Sequence, residues 1–336
     1  MSTIRVPDVV HSPTQDCEKL KKAFEVLADD SQSGSVLLKC LLFCWGTDEK
    51  AIIWVLGHRN ASQRRKIRET YQQLYNESLI DRLHSELSGD FRKAVIWWTY
   101  DPPERDARLA NGALKAKMKD IKCLQVIVEI ACASSPHHLV GVRQAYCSLY
   151  DCSLEEDITS AVSRPLRKIL VGLVGSYRYD KELVDIDVAD AEASRLREAI
   201  QAKQLDHEDV VYLLSTRNVH QLRATFEYYK QRYGNDIDQD IEKCGSGELE
   251  SLMRVIIRCL YSPEKHFAEV IRSSLVGLGT DEDSLSRAIV ARAEIDMMKV
   301  RGEYFNMNKT NLDDAVKGDT SGDYKDFLMT LLGARI

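Results

Sequence analysis

The chain repeats itself four times. An aromatic–x3–Tyr–x3–apolar phrase reads Tyr71, Tyr75, Leu79; it returns as Tyr146, Tyr150, Leu154, then as Tyr229, Tyr233, Ile237, and last as Tyr304, Asn308, Leu312. The columns recur at intervals of 75, 83 and 75 residues. Spacings of four set the three positions of each phrase on one face of a helix. A further column, twelve residues upstream, reads Arg59, Ser134, Arg217, Arg292. A fixed period of this size marks a repeat architecture. Each unit of about 75 residues has room for roughly five helices of ordinary length. The Tyr and Leu columns are read as core packing, so they speak for fold rather than chemistry.

Composition agrees with an all-α reading. Only 7 prolines and 17 glycines occur in 336 residues, of which 44% are hydrophobic and 29% charged. Pro102, Pro103, Pro136, Pro165 and Pro263 fall where helices should begin or end. The expected organisation is a tail (1–14), a first repeat (15–100), a second (101–175), a linker with the third (176–262) and a fourth (263–336). The eight extra residues of the middle interval are placed in the segment 174–187, which would divide the chain into two sequential halves.

Net charge is −6, which argues against nucleic acid as a partner and against attraction to anionic membranes through basic patches alone. It leaves room for an attraction bridged by a metal cation. Nine cysteines, an odd number with no CxxC pair, and an N-terminal segment without an apolar signal core point to free thiols in a reducing, cytoplasmic setting. The longest apolar stretch, Val36–Trp45, contains Lys39 and is too short to span a bilayer.

The same register exposes a second kind of column. Seven residues after the Leu/Ile position stand Glu86, Ala161, Cys244 and Asp319. Forty-two residues before these stand Cys44, Lys119, Ala202 and Gly277, and two further on Gly46, Ile121, Gln204 and Gly279. The fourth copy therefore joins Gly277-Leu278-Gly279-Thr280 to Asp319, and the first joins Cys44-Trp45-Gly46-Thr47 to Glu86, while copies two and three have neither glycines nor acid. Ca²⁺ takes six to eight oxygens, including backbone carbonyls and a bidentate carboxylate. A loop that turns successive carbonyls to one point needs φ values that glycine adopts at least cost. Glycines and acid present or absent together suit service to one ion. The alternative is a helix C-cap at GxGT and an N-cap at Asp319.

Gly277–Glu282 (GLGTDE) followed by Lys317–Tyr324 (KGDTSGDY) resembles the fourth repeat of an annexin, and GTDE (Gly46–Glu49) with ELSGDF (Glu86–Phe91) resembles the first. The tryptophan in the first loop, the blank second and third copies and the opening DCEKLKKAF (Asp16–Phe24) are similar to plant annexins. The resemblance implies a curved all-α disc of four five-helix repeats. It implies calcium-dependent, reversible binding to anionic phospholipid such as phosphatidylserine, at the plasma membrane or endomembranes when calcium rises. Position by position, it implies Ca²⁺ ligation by the carbonyls of Leu275, Gly277 and Gly279 with the Asp319 carboxylate. Val276 stands where the family has a basic residue. A first-repeat site would use Gly46 and Glu86, but an insertion of about 18 residues (26–44) interrupts that repeat and puts Cys44 at the first glycine position. Trp45 and Leu278 would dip into the membrane interface.

Other features carry less. Glu129 and Arg287 match an ion pair lining the family's central channel; Asp106 also matches, but its usual arginine partner is Ser134 here. Cys132 and Cys259 match a thiol cluster suggested to be redox-active in plant members, with burial as small hydrophobes the alternative. His58 resembles a histidine proposed for peroxidase chemistry, yet a single histidine is no catalytic site. The fragment 302–310 is not GxxxxGK[ST], so nucleotide hydrolysis has no P-loop to rest on. The expectation is a binding protein rather than an enzyme. The rival class is a calcium-independent helical scaffold for protein partners; self-association and actin binding come from the resemblance alone.

Overall fold

The computed structural model describes residues 1–27, 45–116, 120–277 and 279–334. They form twenty helices, five to a repeat. The first repeat holds α1 (Pro13–Ala23), α2 (Glu49–Gly57), α3 (Ala61–Tyr75), α4 (Leu79–Glu86) and α5 (Gly89–Thr99). The second holds α6 (Pro102–Lys115), α7 (Ile121–Cys132), α8 (Pro136–Tyr150), α9 (Leu154–Ala161) and α10 (Leu166–Gly175). The third holds α11 (Ile186–Gln201), α12 (Glu208–Thr216), α13 (Val219–Tyr233), α14 (Ile237–Cys244) and α15 (Glu248–Tyr261). The fourth holds α16 (Pro263–Leu275), α17 (Glu282–Arg292), α18 (Met297–Asn308), α19 (Leu312–Asp319) and α20 (Gly322–Leu331). One departure from all-α is a two-residue antiparallel ladder, β1 (Val26–Leu27) with β2 (Trp45–Gly46).

The repeated columns are the core. Tyr71, Tyr146 and Tyr229 are fully buried and Tyr304 nearly so. Each of the first three rests on the next tyrosine of its phrase, with ring centroids 4.7, 4.9 and 5.0 Å apart. Leu79, Leu154, Ile237 and Leu312 are buried and open α4, α9, α14 and α19, four helices of 8 residues each. Each buried aliphatic contributes about 1.5–3 kcal/mol relative to exposure. Side chains start the helices: Ser12, Asn60 and Ser153 each form a reciprocal capping box with the residue three on.

The arginine column anchors first helices. Arg59 grips Asp16 of α1 through two hydrogen bonds of 2.8 Å, both residues buried. Arg217 donates to Glu192 of α11, and Arg292 pairs with Asp296 and lies 4.7 Å over the Phe267 ring. Ser134 is too short for this role and bonds the Ile130 carbonyl instead. The buried Asp106 of α6, whose expected partner was lacking, is met by Arg105 at 2.7 Å and His138 at 2.6 Å.

The division into sequential halves does not hold. One compact unit comprises Met1–Pro102 with Phe267–Ile336, the other Pro103–His266. In the first, α2 and α5 of repeat 1 pack on α17 and α20 of repeat 4, and Thr3 fastens the tail to the Ala293 and Leu331 carbonyls. Buried surface between the first and last repeats, rather than chain order, defines the unit. In the second, repeats 2 and 3 share a single apolar cluster.

Candidate metal centre

The fourth-repeat loop runs from the end of α16 to the start of α17. A hydrogen bond of 2.8 Å from Asp281 N to Ser274 O closes it, and the Asp281 carboxylate caps α17 through Ser284 N. Inside the loop Gly277 has φ +141° and Gly279 φ +96°. A Cβ at either would meet nothing within 4 Å. Backbone conformation, not crowding, therefore requires glycine there. Leu278 lies outside the described residues. Val276, where the family has a base, is 68% exposed, an apolar side chain held in solvent on the loop.

Asp319 is the last residue of α19, and Ser321 takes the N-cap of α20; the reading of Asp319 as an N-cap is thereby removed. The exposed carboxylate has no hydrogen-bond or ion-pair partner among the described residues. It stands at the negative end of a helix, where an anion is disfavoured unless a cation accompanies it. The hydroxyl of Thr280 donates to Asp319 O at 3.2 Å and ties the loop to the acid's segment.

Repeat 1 has the same frame with different contents. Asp48 N donates to Ala23 O at 2.8 Å, the counterpart of the closure in repeat 4. The bond spans residues 24–47 in repeat 1 but 275–280 in repeat 4, eighteen more. Cys44 and most of the expected insertion lie outside the described residues. Gly46 is in β2, paired with Val26, and is not among the positive-φ glycines. Glu86 ends α4 as Asp319 ends α19, but its oxygens are taken: Thr47 Oγ1 donates to one at 2.9 Å and Arg82 holds the other at 2.9 Å. Only the backbone of Trp45 is described.

Glu86 and Asp319 line one cavity of about 380 Å³ within the first unit. Glu49, Asp90, Glu282 and Asp323 line it too, and none of these four was singled out from sequence. Their signal was present, since GTDE and SGD-aromatic occur in copies one and four alike. Gly89 (φ +61°) and Gly322 (φ +59°) open α5 and α20 in the same left-handed geometry. Among the described residues no three His, Cys, Asp or Glu side chains converge closely enough to hold a metal by themselves. A centre at this loop must draw on carbonyls.

The remaining residues fall elsewhere. Glu129 accepts from His266 at 2.9 Å and Gln125 at 2.8 Å in the second unit, and Arg287 is buried in the first. Burial pushes the Cys132 thiol up to about 11, against the pull of Arg178; a thiol so held is a poor thiolate. Cys259 is buried in the same apolar cluster. Among the described residues no cysteine is in a disulfide. Burial lowers the pKa of His58, with the Arg59 and Arg5 charges acting in the same direction and its bond to Trp54 O opposing. The fragment 302–310 lies largely within α18 with Tyr304 buried, so it forms no phosphate loop. No described helix is long and apolar enough to cross a membrane.

Comparison with known proteins is uniform. The Annexin family model matches residues 38–98, 105–173, 190–256 and 266–331. The first match begins after α1, whereas the other three begin within the first helix of their repeat. Annexin D3 of Arabidopsis thaliana is 57% identical with all of both chains covered, and annexin-like protein RJ4 of Fragaria ananassa 47% identical over 86% of this chain and 91% of its own. Among solved structures, annexin III superposes with TM-score 0.86 at 30% identity, covering 99% of this chain and 97% of that one. A calcium-bound annexin (Sm)1 gives TM-score 0.81 at 26% identity, covering 99% and 93%. By repeats, relatives and fold, the chain belongs to the annexin family, alongside its plant members.

Proposed function

We propose that this protein binds anionic phospholipid membranes reversibly in response to calcium, chiefly through its fourth repeat. One observation carries the reading: two positive-φ glycines, with open space around them, lie in a loop that Thr280 ties to the segment of an unpartnered carboxylate at a helix C-terminus. The carbonyls of Leu275, Gly277 and Gly279 and the carboxylate of Asp319 would hold the ion. Calcium-bound annexin (Sm)1 supports the choice of metal. Bound calcium supplies positive charge between an acidic protein and acidic headgroups, with coordination positions left open to lipid phosphoryl oxygen. One carboxylate plus carbonyls is a weak cage, of the order of 10⁻⁴–10⁻³ M by analogy with low-charge sites. Membrane then tightens calcium and calcium tightens membrane by the same factor.

Val276, with Leu278 and Trp45, would supply apolar contact at the interface. The six carboxylates around the 380 Å³ cavity favour cations over anions there. Glu129 and Arg287, each within its own unit, are kept as candidate channel residues, and Cys132 with Cys259 as a redox candidate, all on resemblance. Among the described residues, peroxidase and nucleotidase activities have no assembled site to support them. The test is sedimentation with phosphatidylserine vesicles. Wild type should pellet only with calcium, and Asp319→Ala should need about 10- to 100-fold more calcium, the cost typical of disturbing a metal shell. Pelleting independent of calcium, or unchanged in the variant, would leave the scaffold reading in its place.

A further inference from the structure

A second cavity of the first unit, about 700 Å³, opens between α1, α2 and α20. Its floor is apolar, from Ala23, Ile53 and Val55. One wall is aromatic: Trp54, 47% exposed, lies 4.4 Å from the His58 ring at 41°. His58 Nδ1 contacts the Trp54 carbonyl at 3.0 Å. A carbonyl only accepts, so Nδ1 carries the proton and Nε2 keeps its lone pair in the neutral ring. An indole this exposed gains nothing from the core and offers a face for a second ring.

The rim reverses the sign of the protein. Lys19, Lys22 and Lys50 line it in a chain of net charge −6. Lys22 and Lys50 have no ion-pair partner among the described residues, and Lys19 Nζ meets only His11 at 3.3 Å. The two acids at the rim are engaged: Asp48 caps α2 through Ala51 N at 2.9 Å, and Asp326 lies 3.9 Å from Lys325. An apolar cleft with a stacking face and uncompensated ammonium groups matches a molecule with one flat face and one anionic end.

We propose that this cavity binds a small amphipathic organic anion, a planar ring bearing a phosphate or carboxylate, stacked on Trp54 with its charge at Lys22 and Lys50. The cavity shares no lining residue with the fourth-repeat calcium loop. The probe is 1-naphthyl phosphate, titrated calorimetrically into the full chain in the presence of a calcium chelator. Saturable binding is expected, with 1-naphthalenemethanol and inorganic phosphate each at least tenfold weaker. Trp54→Ala should weaken binding at least tenfold. Lys22→Ala with Lys50→Ala should bring naphthyl phosphate down to the level of the uncharged alcohol, and these exposed positions leave the fold intact by circular dichroism. Asp319→Ala should bind the probe as wild type does. No saturable binding by wild type, or equal binding of phosphate ester and alcohol, or variants indistinguishable from wild type, would each overturn the proposal.

Discussion

Repeats 1 and 4 share their helix caps and helix ends and differ in the loop that would meet an ion. Asp48 and Asp281 cap their helices at φ −89° with ψ 84° and 83°. Ser88 and Ser321 occupy equivalent extended N-caps before left-handed glycines. Glu86 and Asp319 close equivalent eight-residue helices. Between Ala23 and Asp48, however, the chain is eighteen residues longer than between Ser274 and Asp281, and Gly46 enters a strand pair instead of turning its carbonyl. Packing tolerates a long excursion in a loop whose two ends are pinned. A cage made of backbone oxygens does not, because its geometry is the loop. If the frame is independent of the loop, breaking it should be costly whatever the ion does. Arg59→Ala strands the buried Asp16 carboxylate and should cost about 3–5 kcal/mol in denaturant unfolding, with or without calcium.

The functional half of the comparison is tested at the two acids. Against the 10- to 100-fold loss expected for Asp319→Ala, Glu86→Ala should shift the calcium midpoint of vesicle sedimentation by no more than about threefold, since its oxygens already serve Thr47 and Arg82. Equal losses would make the two copies functional equals. Repeat 2 extends the contrast, for there the anchor is ionic but not from the arginine column. Burial alone would raise the Asp106 carboxyl; Arg105 and His138 overcome burial and hold it at about 2, below the ordinary aspartate value of 3.8. A depressed carboxylate contributes stability that is present above pH 3.8 and lost as pH falls through about 2. The contribution is about 2 kcal/mol, and Asp106→Asn should flatten that part of an acid-unfolding curve. Gly279→Ala comes next: a side chain at φ +96° costs about 1–2 kcal/mol. That should appear as a roughly 5- to 30-fold higher calcium midpoint, while Gly46→Ala, in extended backbone, leaves it unchanged.

Fold was legible because its signals are periodic. Tyr71 and its counterparts announce a buried helix face at fixed spacing, and five helices per repeat follow from the period. The acids at the ends of two of the four eight-residue helices, Glu86 and Asp319, were legible for the same reason. Three things were not. The pairing of repeat 1 with repeat 4 depends on surfaces such as Phe91 against Phe327, 6.0 Å apart, that no local pattern encodes. His138 as the partner of Asp106 was invisible because it lies four residues beyond the column that should have supplied an arginine. The engagement of Glu86 was hidden because an i,i+4 Arg82–Glu86 pair in sequence reads as an ordinary helix salt bridge, not as the blocking of a ligand.

That pair gives the finest test of why repeat 1 differs. Arg82 Nη2 holds Glu86 Oε1 at 2.9 Å, and its guanidinium lies 5.6 Å from the Phe24 ring, beside the closure of the long loop. Two causes could silence the acid: the cation that occupies it, or the pairing of Gly46 with Val26. Arg82→Ala removes the first and leaves the second. The pair is partly exposed, at 23% and 20%, and the loss of stability should not exceed about 1 kcal/mol. With Gly46 still paired to Val26, freeing the carboxylate leaves the strand pair unchanged, and the calcium midpoint should stay within about twofold of wild type. A clear fall in that midpoint would mean that Arg82 was the lock and the loop was already competent.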